Sequence, residues 1–147
     1  MLRFHTNLLA PPPAANEGPI VELRGLLLPT LTGPAGGPPV FTNPLPVSFE
    51  QCQAELLTIP RLDAEPDGYF LVAGEADGQR WQVDGHMFEL EGAMHRVEAH
   101  GACPPGVFDA ILGSLGWPAA PLVFQLVQEG VVLREADFRC WAAAGVG

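Results

Sequence analysis

The sequence predicts a mainly β protein, an antiparallel meander forming a small barrel or a strongly curved sheet, with one short amphipathic helix packed on it. Three observations lead there. Asp-Gly and Gly-first dipeptides punctuate residues 75–98 at hairpin spacing, apolar and polar residues alternate between them, and one segment near residue 108 has helical periodicity. At 147 residues and 48% hydrophobic, the chain suits one domain that buries a core without metal or disulfide staples. Within 1–147 we expect a Pro/Gly-rich strand-and-loop region over 1–46, a meander core with its helix over 47–142, and a frayed tail over 143–147.

Residues 11–46 hold ten of the sixteen prolines, which excludes long regular structure because proline lacks a donor and fixes φ. The run from Pro19 to Pro29 reads as a mostly buried strand within it. From Pro46 to Pro60 the pattern is double. Ser48 and Gln51 match a capping box with Phe49, Cys52 and Leu56 at helical spacing, yet the residues from Cys52 onward also read as a strand, the reading taken here. Turns at Asp77-Gly78, Asp84-Gly85 and Gly92-Ala93 set Glu75 opposite Arg80, Arg80 opposite Glu89, and Glu89 opposite Arg96. They leave Gly74, Trp81, Phe88 and Val97 in one row on the inner face, with Val72, Val83, His86 and Ala99 beside it. Burying Trp81 and Phe88 is worth roughly 2 to 3 kcal/mol each.

Phe108, Ile111, Leu112 and Leu115 then give the helix of about residues 105–115, stopped by Gly116 and Pro118. A last hairpin turns at Glu129-Gly130, pairing Val127 with Val132 and Leu126 with Leu133.

Composition excludes more than it assigns. There is no lysine, so Schiff-base chemistry and the lysine of P-loop and kinase sites are gone. Of the two serines, Ser114 lies in ILGSLGW, which is not a nucleophile elbow. Seventeen acidic against seven basic residues repel phosphate backbones and anionic lipid, so neither nucleic acid nor membrane is an expected partner. No apolar run approaches a membrane span and no secretory leader pattern opens the chain, which makes the cytoplasm the expected compartment. No cofactor is expected.

His86, His95, His100 and Cys103 fall within 18 residues and are all metal-ligand types. The expected pairing separates them, with His86 four residues along the neighbouring strand from His95 at ~3.3 Å per residue, and His100 on the opposite face. No metal site is therefore expected. Cys103, just before the helix with His100 three residues away, is the one candidate thiol nucleophile. Trp81, His86 and Phe88 on the inner face could line a small apolar-ligand site. The leading expectation is a non-enzymatic β-rich module acting through protein contacts, either self-association or an arginine- or lysine-rich partner. Its proline loops and the apolar LRGLLLP run are the expected contact surfaces.

Overall fold

The computed structural model describes residues 1–145, which form nine strands and three helices. The strands are β1 (Leu2–Leu9), β2 (Asn16–Leu23), β3 (Leu26–Thr32), β4 (Asp63–Ala64), β5 (Tyr69–Ala76), β6 (Gln79–Leu90), β7 (Ala93–Cys103), β8 (Val123–Leu126) and β9 (Val132–Arg134). They make one antiparallel sheet in the order β2-β3-β9-β8-β1-β7-β6-β5-β4. The barrel is not formed: β2 and β4 end the sheet as open edges.

Three of its hairpins use two-residue turns. Arg24-Gly25, Asp77-Gly78 and Glu91-Gly92 each place both residues at positive φ, as a turn matched to strand twist requires. The Asp77-Gly78 hairpin has the expected register, with Glu75 opposite Arg80 and Gly74 opposite Trp81. The segment expected as one strand between Pro19 and Pro29 is itself a hairpin, β2 and β3, turning at Arg24-Gly25.

Three expectations are corrected along β6 and β7. Asp84-Gly85 is not a turn; both residues lie inside the 12-residue β6. Gly85 is there because the Phe70 ring of β5 lies against its bare backbone. The next turn uses Glu91-Gly92 rather than Gly92-Ala93, and a register shift follows Phe88. Phe88 therefore faces Arg96, Met87 faces Val97, and His86 faces Glu98. A one-residue slip exchanges the faces of a strand, so Val83, Gly85 and Met87 point to the core and Asp84, His86 and Phe88 away from it.

The helices are α1 (Phe49–Leu56), α2 (Pro105–Gly113) and α3 (Glu135–Ala143). Only α2 matches the single helix expected. Residues from Cys52 onward are helical, not a strand, because the Ser48–Gln51 capping box closes in both directions and turns Cys52 and Leu56 to the core. The last hairpin, β8 and β9, has its register two residues from the expected one, with Phe124 opposite Leu133. Its second strand is short and gives way to α3, which buries Phe138, Trp141 and Ala142. Of the expected frayed tail, Ala143 is helical, while residues 146 and 147 lie outside the described residues.

The helices share one sheet face. Phe4, Phe108, Phe124 and Phe138 meet there with ring centroids 4.3 to 6.2 Å apart, joining β1, α2, β8 and α3. Arg139 of α3 binds Asp109 of α2 at 2.7 Å and Glu135 at 2.9 Å, fixing the two helices to each other. On the other face, Leu9, Leu31, Val123 and Val132 form a small second cluster with Phe41 against it. The rest of that outer face carries no helix.

Candidate functional site

Strand alternation decides what the outer face displays. In β1, Leu2, Phe4 and Leu8 are buried, which turns Arg3, His5 and Asn7 outward. The register then assembles two rows. One runs Tyr69, His86, Glu98, Asn7 and Gln125 across β5, β6, β7, β1 and β8. The other runs Leu71, Asp84, His100 and His5.

Between these rows lies a cleft of about 270 Å³ lined by His5, Tyr69, Asp84, His86, Phe88, Glu98 and His100. His5 Nε2 is 2.7 Å from Glu98 Oε2 and its ring stacks on that of His100 at 4.3 Å. The carboxylate accepts, so neutral His5 carries its proton on Nε2. Across the cleft, His86 stacks on Phe88 at 4.5 Å, and the Arg96 guanidinium covers Phe88 at 4.0 Å. Asp84 accepts a 3.0 Å hydrogen bond from Gln82. Chemically this is a set of carboxylates, imidazoles and aromatic faces suited to holding a polar or cationic group. No serine, threonine or cysteine lines it. No group of three or more His, Cys, Asp or Glu side chains that could hold a metal ion occurs among the described residues.

Neither family models, curated proteins nor solved structures match this chain. Its reading rests on the geometry alone.

The three residues expected to line an apolar-ligand site are divided between the two faces. Trp81 covers Gly74 and packs against the core from its margin, whereas His86 and Phe88 stand on the outer face. With Asp84-Gly85 inside the strand, odd and even positions of β6 cannot share a face. A larger hollow, about 540 Å³, borders Trp81 among Arg61, Asp63, Glu75 and Arg80, but it contains no histidine. His100 also stands with His86 rather than opposite to it, as part of the cleft.

Cys103 is fully buried at the start of the connection to α2. Burial pushes its thiol up to about 12, the opposite of what a nucleophile needs. Cys52 is held at about 11 by burial, with the Ser114 hydroxyl opposing. The cleft residues not expected from the sequence are His5, Tyr69, Asp84, which was expected in a turn, and Glu98. The signal for His5 is partly present, since apolar and polar residues alternate from Leu2 to His5 and Thr6 then takes an apolar position before Leu8.

Proposed function

We propose that the chain is a non-enzymatic cytoplasmic module that acts by self-association through the β2–β3 hairpin. One observation carries this reading: Ile20 is 68% exposed and Leu27 73% exposed on that hairpin. Glu22 faces Leu27 and Ile20 faces Pro29, so these side chains share one face of an edge ribbon. The two-residue turn makes Leu23 and Leu26 a hydrogen-bonded pair, and alternation then directs the backbone groups of Ile20 and Glu22 away from β3. They are free to pair with another strand. The β2–β3 register shifts between Glu17 and Ile20, where Gly18 and Pro19 lie, and resumes at Glu17 and Asn16. Antiparallel pairing of two copies about Ile20 sets each Ile20 against its mate and each Glu22 against Gly18. The acidic side chains of the two copies therefore do not oppose each other. Three free cysteines suit the reducing compartment.

Sedimentation equilibrium tests the proposal. Dimer is expected to accumulate with concentration, and Ile20→Asp combined with Leu27→Asp to be monomeric with an unchanged circular dichroism spectrum. A wild-type chain that stays monomeric at every concentration would sink the idea. A second reading, a partner segment rich in arginine or lysine, is favoured by the outer cleft, which holds Asp84 and Glu98 and no arginine in its lining. Salt separates the two: an apolar hairpin contact persists at high ionic strength and a charge-led contact does not.

A further inference from the structure

Where β1 runs past the end of β8, it leaves a gap in the sheet. β8 pairs with β1 only over Thr6 to Leu9, so Leu2 to Phe4 have no strand on that side. The gap is a pocket of about 210 Å³ lined by Arg3, His5, Arg24, His100, Glu129 and Trp141, among others. It adjoins the outer cleft through His5 and His100, which line both.

The pocket is rich in arginine for so acidic a chain. The chain has seventeen acidic residues for seven arginines; Arg3 and Arg24 meet around this pocket, as Arg61 and Arg80 do around the hollow beside Trp81. Arg134 and Arg139 each hold a carboxylate, whereas no carboxylate lies within ion-pair distance of Arg3 or Arg24 among the described residues. Arg24 is also held in place. It occupies the first turn position at φ 50°, where Asn, Asp or Gly is usual, at some conformational cost. Its guanidinium donates to the carbonyls of Arg3 at 3.0 Å and Trp141 at 2.9 Å, and lies 3.8 Å over the Trp141 ring. One Nη serves both carbonyls, leaving the other N–H groups of the fork without a partner among the described residues. Burial pushes the Arg24 guanidinium below its ordinary value, with Glu129 opposing and Arg3 adding to the shift, but it remains charged. Trp141 is itself buried, and its indole N–H lacks a partner among the described residues.

We propose that this pocket is an oxyanion site that takes the carboxylate of a small organic acid. Two guanidinium groups with no carboxylate within ion-pair distance among the described residues supply the recognition, and Trp141 in the lining reports on it. Glu129 in the lining and Glu98 beside His5 favour a monoanion over a phosphate dianion. The pocket is larger than a bare carboxylate requires and leaves room for a short organic body. Arg24 belongs to the turn of the same hairpin, but the pocket uses neither Ile20 nor Leu27, so substitutions at Arg3 test it apart from the proposed self-association.

The test is a titration of the full chain with sodium acetate, sodium butyrate and inorganic phosphate, against sodium chloride at matched ionic strength. The readout is the ¹⁵N–¹H signals of the Trp141 indole and the Arg24 Nε. Saturable shifts with acetate and butyrate, exceeding those with chloride, are expected. Arg3→Gln should weaken this binding about tenfold or more, because it removes a charged donor while its backbone carbonyl stays to hold Arg24. Arg24→Gln should abolish it, with unchanged signals elsewhere showing that the fold persists. The proposal is overturned by shifts no larger than those with chloride, by Arg3→Gln binding as wild type, or by phosphate binding more tightly than the carboxylates.

Discussion

Gly85 has no side chain because Phe70 occupies that space. A Cβ at Gly85 would overlap the ring of Phe70, which is itself fully buried. Gly85→Val is expected to destabilise the fold by about 1 to 3 kcal/mol, read from urea unfolding midpoints. The cysteines give a second residue-level expectation. Cys140 is exposed and should react with iodoacetamide at the rate of a free thiol, while Cys52 and Cys103 wait for unfolding. The same burial has a pH consequence. Folded thiols at about 11 and about 12 keep their protons where unfolded thiols, near ~8.5, have lost them. Their contribution is therefore complete below pH ~8.5 and is lost as pH rises through 9 to 12, by up to a few kcal/mol in total. Unfolding followed from pH 8 to pH 11 should show this fall, and Cys103→Ala should flatten it.

At the level of elements, α1 depends on a reciprocal cap. Ser48→Ala removes the acceptor for the Gln51 N–H and should cost about 1 kcal/mol, measured by thermal or urea unfolding. The same cap was legible in the sequence, as was the Phe108 to Leu115 periodicity of α2. What misled was local ambiguity. Asp84-Gly85 has a strong turn signature, yet here Asp84 faces His100 in the middle of a ladder and Gly85 lies against Phe70. Tertiary packing overrode a dipeptide preference. From that one position followed the reversed faces of His86 and Phe88, and with them their separation from Trp81. The start of α3 was similarly double: Val132 to Arg134 is strand and Glu135 begins the helix, with no glycine or proline between. Its signal was the spacing of Phe138, Trp141 and Ala142, at i, i+3 and i+4, with Glu135 and Asp137 in the first turn.

For the whole molecule, the predominance of antiparallel strands could be read from alternation and turns, because both are local. Whether the sheet closes could not. Closure depends on which strands become neighbours, and β1, β7 and β8 are neighbours across some 90 to 120 positions of sequence. The open outer face and the pocket beside β1 are products of that long-range order. So is His5, which meets His100 only because β1 lies beside β7. Salt is expected to act differently on the two proposed contacts. Raising ionic strength should leave the hairpin dimer intact by sedimentation while weakening carboxylate binding at Arg3 and Arg24.

The central place of β1 also sets a schedule. Leu2, Phe4 and Leu8 are synthesised well before residues 93–103 and 123–126, between which they finally lie. Until those segments exist, the strand has neither ladder partners nor a buried face, so the central seam of the sheet is completed late. Long-range pairing of this kind slows folding. It also leaves an apolar ribbon waiting in solvent. Refolding from urea should therefore be slower than its helices alone would suggest, and the interval before β7 arrives is when the chain has most need of a chaperone.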